Sequence, residues 1–493
     1  MNKKPTILFW LNGFLLHYSL AFYLQSKINF DMYGVIDIAS KPKLFFKNQK
    51  FVNFKKLWYF HDSLKLHEKI DMEYLKDFER SNDISLWKLA LNERYFYQHN
   101  RFYKFKKDEI ISILYQEIKL FESILNEVKP DYLLTYEPVF HHQKLLVDLC
   151  RLKGIKIISI FYTGIQDIVF LSDDGSNLNL DKNSFEKNYH NYSMTNNNQS
   201  YDKVWSNYAS TKNPKLTSKI TALLTFLTQN YSESLQNNFM YFGRSKFSVL
   251  KDSIKIELKR LRNYDYIQQH FDSSPNIDIP FVYFPMNINE EMNLLHYAPF
   301  YTNQIDVIRN VSKSIPIDYL LLVKEHIGAG LRGWNDIQYY KEILEIPNVK
   351  LVHPNYDNNK LIEKSKLVIT IRGSSGLTAV KYQKPSIIFG PQPFEFIPSV
   401  YRVKSFSELP NLIKKAISTD VDKTYYEKYH KFIETNGVRF NMFSYENIRD
   451  KSFFGGGILS NIPISNTDMQ EFLSKNQLLF SDLVRKHIQI FNE

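Results

Sequence analysis

Short apolar runs alternate along the chain with stretches whose apolar residues recur at helical spacing. Residues 7–11 form the first run, and a polar turn separates it from a helical pattern. Residues 108–128 carry a longer helical pattern that ends at Pro130, and residues 131–136 (DYLLTY) form the next strand. This repeated strand–helix–strand order predicts a parallel sheet with helices on both faces.

The same pattern returns from residue 277 onward. The segments 279–286 and 318–326 are predicted strands, with a helix at 304–314 between them. Residues 367–390 follow as a strand, a tight turn rich in glycine and serine, a short helix and a second strand. Such a turn offers backbone N–H groups and hydroxyls to an anion, so we expect a phosphate-bearing, nucleotide-linked substrate here.

The segments outside these two regions differ in composition. Residues 177–276 are rich in Asn, Ser, Tyr and Lys and then become helical, which predicts a helical insertion or linker. Residues 466–493 are amphipathic and follow a glycine run, which predicts a C-terminal helix. The expected fold is α/β, with Rossmann-like parallel-sheet domains at 1–176 and 277–465 facing a cleft. Ligands of such sheets bind beyond the carboxyl ends of the strands.

Composition limits the classes of function. The chain has 493 residues, of which 44% are hydrophobic, and this argues against global disorder. The net charge is 63 − 52 = +11, a mild excess that suits an enzyme handling anions and gives little support for nucleic-acid binding. The single cysteine, Cys150, excludes an intrachain disulfide and lies in a pattern typical of a buried helical thiol.

The N-terminus begins with charged residues and an apolar run, as signal peptides do. Asn12, Gly13 and His17 interrupt that run, and a strand, a turn and a helix account for it better. No segment has the ~18 uninterrupted apolar residues of a membrane-spanning helix. We therefore expect a cytoplasmic protein. The basic residues between positions 255 and 262 leave two interpretations open, a solvated helix face or peripheral contact with the inner membrane.

Candidates for binding an anionic donor follow two strands of the second region. One strand closes with a cation, a carboxylate and a hydrogen-bond donor, which are Lys324, Glu325 and His326. Another strand is followed by a turn that supplies a guanidinium, close backbone approach and two hydroxyls, from Arg372, Gly373, Ser374, Ser375 and Gly376. Each motif alone is also consistent with an ordinary surface turn, but their combination favours a phosphate site.

Candidates for acid–base chemistry lie in the first region. Glu137 follows the strand at 131–136, where its carboxylate suits a general acid or base and equally a charge at a helix N-terminus. Asp173 and Asp174 follow the strand KIISIFY and a short apolar stretch. These two carboxylates suit a base, a nucleophile or a metal ligand, and they also suit a common surface turn.

The adjacent pair His141 and His142 precedes a predicted helix. We interpret it as a partly exposed pair at the start of that helix. Because no further Cys or His stands at ligand spacing, the sequence predicts no metal site.

Four segments of the second region resemble a known family. They are FVYFPMNINEEMNLLHYAPFYTNQIDVIRNVSKSIPIDYLLLVKEH, PNVKLVHP, LIEKSKLVITIRGSSGLTAVKYQKPSIIFG and VYRV. Together they resemble the bacterial capsule-polysaccharide biosynthesis family, which includes the Kdo transferases of capsule and lipopolysaccharide assembly. The resemblance is dense over residues 280–405 and thinner over 80–180.

The resemblance implies a GT-B glycosyltransferase with the donor nucleotide in the C-terminal domain and the acceptor in the N-terminal one. Such an enzyme moves a sugar, with CMP-Kdo as the favoured donor, to a growing surface polysaccharide or glycolipid. It needs no cofactor besides its nucleotide-sugar substrate. In related families that use CMP-linked sugars, a His-Pro motif and a serine motif hold the donor phosphate, and His326, Ser374 and Ser375 match those positions.

The acidic motif of such enzymes corresponds loosely to Asp173 and Asp174. With Glu137, these are the candidates for deprotonating the acceptor or attacking the anomeric carbon. The chain departs from the pattern at Ile327, where a proline is expected, and at Thr378, where an acidic residue is common. These departures favour an alternative, a catalytically degenerate scaffold protein of capsule assembly. A nucleotide-sugar epimerase on the same fold is a third hypothesis.

Overall fold

A computed structural model describes residues 4–65, 68–163, 167–172, 224–228, 238–457 and 461–492 of the chain. These residues divide into two compact units. The described residues of the first unit come from Met1–Leu178, Asn197–Lys246 and Ile433–Glu493, and those of the second come from Phe247–Phe432.

The described residues form strands and helices in alternation over most of the chain. The strands are β1 (Thr6–Asn12), β2 (Asp31–Asp37), β3 (Phe54–Tyr59), β4 (Tyr132–Tyr136), β5 (Lys156–Tyr162), β6 (Ile168–Ser172), β7 (Phe281–Pro285), β8 (Leu320–Lys324), β9 (Val349–Val352), β10 (Leu367–Thr370), β11 (Ser386–Ile388), β12 (Val400–Arg402) and β13 (Val438–Arg439). The α-helices outside residues 224–228 are α1 (Leu16–Gln25), α2 (Lys43–Asn48), α3 (Met72–Asn82), α4 (Leu86–Leu91), α5 (Lys107–Val128), α6 (His141–Leu152), α7 (Lys246–His270), α8 (Met292–Leu295), α9 (Gln304–Ser312), α10 (Ile337–Leu344), α11 (Asn358–Lys364), α12 (Ser375–Lys381), α13 (Leu409–Ile417), α14 (Thr424–Asn436), α15 (Met442–Phe453), α16 (Asn466–Lys475) and α17 (Gln477–Asn492).

The first unit is built on a sheet with the strand order β13-β6-β5-β4-β1-β2-β3. Strands β1 to β5 run parallel, whereas β6 and β13 are antiparallel to their neighbours. The apolar residues of β1 are consecutive because this central parallel strand is buried on both faces. Leu8 and Trp10 join the core that includes residues of α5 and α6, and Phe9 and Leu11 join the core on the opposite face.

The C-terminal part of the chain packs into the core of the first unit that contains Phe9 and Leu11. This differs from the prediction, which placed residues up to 465 in the second domain. Phe472 and Phe480 are buried with residues of β1 and α1, and Tyr23 donates a hydrogen bond to the Leu473 carbonyl at 2.6 Å. Strand β13 also pairs with β6. The first unit therefore includes the described residues of Ile433–Glu493, and their buried apolar side chains, such as Phe440 and Tyr445, join this core. The predicted C-terminal helix is two helices, α16 and α17.

The second unit contains a sheet in the order β12-β11-β10-β7-β8-β9, with every pair parallel. The strands predicted at 279–286, 318–326 and 367–370 correspond to β7, β8 and β10. Apolar residues of α9, α10 and α13 cover one face of this sheet. The two units confirm the predicted α/β class with parallel-dominated sheets.

The predicted insertion at 177–276 is described only in part. Its described part includes α7, which confirms the helix expected there, and most of the remainder lies outside the described residues. Within the described ranges, no helix is both long enough and apolar enough to cross a membrane.

Candidate functional site

The carboxyl ends of β8, β9 and β10 lie at one edge of the second sheet, because these strands are parallel. Lys324 is the last residue of β8, His353 follows β9, and Arg372 follows β10 by two positions. The structure therefore brings the predicted strand-end residues of this unit to a common edge. His353 was missed by the sequence analysis, although it stands in a His-Pro pair, His353-Pro354.

Two histidines near Lys324 have lowered pKa values. Lys324 is largely buried. Burial, together with the charges of Lys324 and Arg332, lowers the pKa of His326 to about 4. Burial and the Lys324 charge also lower the pKa of His353. Both imidazoles are therefore biased toward the neutral form beside a buried ammonium group.

His326 has a defined tautomer. Its Nδ1 accepts a hydrogen bond from the backbone N–H of Gly328 at 3.0 Å, so in the neutral ring the proton lies on Nε2. A Cβ at residue 328 would stand 2.9 Å from the end of the Ile288 side chain and 3.0 Å from His326 Nδ1, so glycine allows the turn to lie close to the imidazole. His326 can thus donate its Nε2–H to an anion without carrying a charge.

Glu325 was predicted to contact the donor, but the structure engages it inside the unit. It is 1% exposed, and its carboxylate accepts hydrogen bonds from Tyr340 (2.8 Å), Asn335 (2.7 Å) and the backbone N–H of His326 (2.7 Å). Burial raises the pKa of Glu325, and these three hydrogen bonds oppose the rise. Its role in this geometry is to hold the backbone of His326 in place.

A chain of amide side chains connects the end of β8 with the turn after β10. Asn335 Oδ1 accepts from Asn289 Nδ2 at 2.9 Å, and Gln304 Nε2 donates to Asn289 Oδ1 at 2.6 Å. Gln304 also donates to the carbonyl of Asn287, whose own Nδ2 donates to the carbonyl of Arg372. Glu325 accepts a hydrogen bond from Asn335, so the network runs from the end of β8 to the turn after β10. It therefore fixes these two strand ends relative to one another.

The turn after β10 is shaped by close contacts. A Cβ at Gly373 would lie 2.6 Å from Thr370 Oγ1, which explains the need for glycine there. Ser374 is exposed and Ser375 is partly exposed, so both hydroxyls are accessible at this edge. Gly376 is buried, and a Cβ there would lie 3.3 Å from Ile388 and from Phe394.

Arg372 has several partners within the unit. Its Nε donates to the Pro391 carbonyl at 3.0 Å, its Nη1 donates to Asn293 Oδ1, and its guanidinium stacks over the Tyr297 ring at 4.0 Å. The side chain is 5% exposed. It therefore shapes the turn and contributes positive charge from a fixed position.

Two buried polar atoms near this edge have no partner among the described residues. They are Thr370 Oγ1, at the end of β10, and Asn287 Oδ1, just after β7. Buried polar atoms are normally hydrogen-bonded, so these two atoms leave unused hydrogen-bonding capacity at this edge.

The acid–base candidates of the first unit have different outcomes. Glu137 directly follows β4 and is 8% exposed, at the carboxyl edge of the first sheet. Asp173 and Asp174 lie outside the described residues.

The interpretation of His141 and His142 as a partly exposed pair was wrong. Both begin α6 but are fully buried, at 0% and 1% exposure. They contact three carboxylates that lie far apart in the sequence, which are Asp37, Glu93 and Glu117. Burial opposes the charged form of His141, but Glu117 and Glu93 raise its pKa to about 10.

Comparison with known proteins gives a family for part of the chain. Residues 215–397, less than half of the chain, match the family model described as "Capsule polysaccharide biosynthesis protein". This segment includes both strand ends of the second unit, and the match confirms the family resemblance there. It supports a role in capsule polysaccharide biosynthesis. No curated protein sequence matches the chain significantly.

Solved structures similar to this chain are distant. The beta Kdo 2,7 transferase KpsC of Thermosulfurimonas dismutans is 10% identical, with 70% of this chain and 87% of that chain covered and a TM-score of 0.30. The UDP-GlcNAc 2-epimerase of Neisseria meningitidis is 11% identical, with 87% and 99% covered and a TM-score of 0.27. The glycotransferase of kitacinnamycin is 12% identical, with 91% and 99% covered and a TM-score of 0.24.

Proposed function

We propose that the protein is a glycosyltransferase of capsule or related surface-polysaccharide assembly. The substrates are a nucleotide-activated sugar and a growing polysaccharide or glycolipid. The observation that carries the proposal is the strand end with the Lys324 cation and the neutral donor His326, which shares a sheet edge with the accessible hydroxyls of Ser374 and Ser375. This edge lies inside the segment that matches the capsule family.

The chemistry at this edge is the stabilisation of a leaving phosphate. When the glycosidic bond to the nucleotide breaks, negative charge develops on the phosphate oxygens. Lys324 supplies a buried positive charge, and the Nε2–H of His326 supplies a neutral hydrogen-bond donor that does not need to be reorganised. The hydroxyls of Ser374 and Ser375 are the further donors. Arg372 adds positive charge from a fixed position, because Asn293 and Pro391 hold its guanidinium.

The acceptor side of the reaction needs a base or a nucleophile. We assign this role to Glu137, with Asp173 and Asp174 as the other candidates from the sequence. Glu137 stands at a strand's carboxyl end, where open parallel sheets bind ligands. We propose CMP-Kdo as the donor, on the family resemblance alone. Ile327 and Thr378 are the positions at which the chain departs from the family pattern.

The test is donor binding and turnover by the full chain. CMP-, UDP-, GDP- and dTDP-linked sugars, CMP-Kdo first, are screened by thermal shift and by release of free nucleotide, with and without a polysaccharide acceptor. One nucleotide class should stabilise the protein, and acceptor should accelerate release. Interconversion of the free nucleotide sugar without acceptor would instead identify an epimerase. Binding with no turnover would identify a scaffold protein.

Site variants separate the phosphate assignment from general effects. Lys324→Met should weaken donor binding by about tenfold or more, because it removes a partly desolvated charge. Lys350→Met, on the exposed side of neighbouring β9, is the matched control and should bind as wild type does. Ser374→Ala combined with Ser375→Ala should also weaken binding. If Lys324→Met binds donor as Lys350→Met does, the phosphate assignment is wrong.

We further propose that α7 contacts an anionic membrane surface. Four apolar side chains on one face of this helix are 57% to 77% exposed, namely Phe247, Ile254, Leu258 and Leu261. Exposed cations flank that face, at Lys251, Lys255 and Arg262. An apolar stripe bordered by cations is typical of helices that lie in a membrane interface.

Vesicle co-sedimentation tests this contact. Vesicles containing anionic phosphatidylglycerol should bind the protein in a salt-dependent manner, and vesicles of phosphatidylcholine alone should bind it much less. Ile254→Ser with Leu258→Ser should abolish binding, whereas the same change at exposed Leu478 of α17 should not. Equal behaviour on both vesicle types, or no binding to either, would refute the membrane contact.

A further inference from the structure

Three imidazoles and three carboxylates are buried together at the carboxyl edge of the first sheet. The carboxylates are those of Asp37, Glu93 and Glu117, and the imidazoles are those of His61, His141 and His142. Asp37 ends β2, His61 follows β3, and the two adjacent histidines begin α6 after β4. None of the six side chains is used in the proposed transfer reaction.

His141 is held from both sides. Its Nδ1 lies 2.8 Å from Glu93 Oε2, and its Nε2 lies 2.9 Å and 3.0 Å from the two oxygens of Glu117. Glu117 projects from the middle of α5 and is 0% exposed. Glu93 therefore orients the His141 ring, while both carboxylate oxygens of Glu117 face its Nε2.

His142 is oriented in a similar way. Its Nε2 lies 3.4 Å from Asp37 Oδ2, and its Nδ1 has no partner among the described residues although the residue is 1% exposed. Phe60 and Phe140 stack on the ring at centroid distances of 4.5 Å and 5.5 Å. The ring is thus fixed in position and keeps an unused nitrogen in the interior.

The ligand atoms converge on one position. One atom from each of Glu117, His141 and His142 lies within 4.8 Å of the other two. Zn²⁺ bonds of about 2.0–2.1 Å in tetrahedral geometry place ligand atoms roughly 3.3 Å apart. The 2.9–3.0 Å contact of His141 with Glu117 is close to that spacing, so the side chains need only small shifts to enclose an ion.

We propose that Glu117, His141 and His142 bind a divalent transition-metal ion of the zinc class. Two imidazoles and a carboxylate are a donor set that Zn²⁺ prefers. Glu93 and Asp37 occupy the remaining nitrogens of the two histidines, as carboxylates do behind metal-bound imidazoles. An ion there also offsets the charge of three buried carboxylates, which protonated imidazoles must otherwise offset alone.

This site could not be predicted from the sequence, because its ligands do not share a motif. Glu117 precedes His141 by 24 residues, and α5 must pack against α6 before the two side chains meet. Asp37 and Glu93 are still more distant in the chain.

The experiment uses the full chain after dialysis against EDTA and then against metal-free buffer. Zn²⁺ titration should show one equivalent bound with micromolar or tighter affinity and a higher thermal midpoint. Co²⁺ should give the visible absorption of a tetrahedral or five-coordinate nitrogen–oxygen site, and EDTA should reverse it. If the folded wild-type protein binds neither ion stoichiometrically, the proposal is wrong. The buried carboxylates are then balanced by protonated imidazoles and not by a metal ion.

Variants test which side chains bind the ion. Glu117→Gln removes one ligand with little change of shape and should lower Zn²⁺ affinity at least 100-fold, whereas His61→Gln, in the same cluster but outside the ligand set, should retain stoichiometric binding. Equal affinity in Glu117→Gln and wild type would refute the assignment. Because the cobalt spectrum is recorded on wild type, the proposal stays testable if Glu117→Gln fails to fold.

Discussion

Replacing Tyr340 by phenylalanine tests the buried network at the end of β8. The Tyr340 hydroxyl donates to Glu325 Oε2 at 2.8 Å and accepts from the backbone N–H of Asn335 at 3.1 Å, and the residue is 0% exposed. The substitution removes only this oxygen, so it leaves the ring packing in place. It isolates the hydrogen bonds that position Glu325 and, through it, the backbone of His326.

The magnitude follows from the two contacts. A hydrogen bond to a charged group contributes about 1.5–3 kcal/mol, and a buried N–H left without its partner costs about 1 kcal/mol or more. Glu325 keeps its bonds from Asn335 Nδ2 and from the backbone of His326, so its charge is not stranded. We therefore expect the second unit to lose roughly 2–4 kcal/mol of unfolding free energy.

Native-state hydrogen exchange measured by mass spectrometry is the suitable assay, because it reports opening free energies segment by segment in a chain with two units. Peptides from β8 and α10 should lose protection in Tyr340→Phe, while peptides from β1 and β4 should not change. Tyr319→Phe is the matched control, since Tyr319 packs against the same core and its hydroxyl has no hydrogen-bond partner in the described part of the chain. If both variants lose the same small amount, the network does not stabilise the strand end.

Three further predictions concern single features. Gly373→Ala should weaken donor binding and destabilise the turn by about 1–3 kcal/mol, because its Cβ would lie 2.6 Å from Thr370 Oγ1; Gly13→Ala, which meets open space, is the control in binding and thermal-shift assays. Burial lowers the pKa of His17 to about 3 and of His487 to about 4. The two neutral histidines therefore contribute fully to folding stability above the unfolded pKa of 6.5, and this contribution is lost as the pH falls from 6.5 toward 4. The thermal midpoint should drop across that range, and a flat profile would contradict this. Cys150 is buried and burial raises its pKa to about 12, so Ellman's reagent should react with it only after the first unit opens, and rapid labelling of the native protein would contradict this.

The central strands could be predicted because their sequence signal is local. β1, β4 and β10 are short apolar runs that end at polar or glycine-containing turns, and a buried parallel strand requires that pattern. The strand-end candidates Lys324 and His326 followed from the same rule, since side chains after such strands reach a common edge.

The remaining features depend on contacts between distant parts of the chain. β13 is only two residues long, and its pairing with β6 cannot be read from so short a pattern. The hydrogen bonds of Glu325 could not be predicted, because its partners Tyr340 and Asn335 approach only after α10 packs on the sheet. The burial of His141 was missed for a similar reason, since Glu93 and Glu117 come from other helices or loops.

The charges at the two sheet edges differ in a way that bears on substrate placement. At the edge of the second unit, Lys324 stands beside imidazoles whose pKa values are lowered, so a phosphate meets positive charge and neutral donors there. At the edge of the first unit, Asp37 and Glu137 are buried carboxylates, and His142 and His61 hold the pKa of Asp37 well below its usual value against the opposing effect of burial. A leaving phosphate gains from the positive charge at Lys324, whereas a sugar hydroxyl that must lose a proton needs a carboxylate such as Glu137. On the proposed function, we therefore expect the donor phosphate at Lys324 and the deprotonation of the acceptor at Glu137.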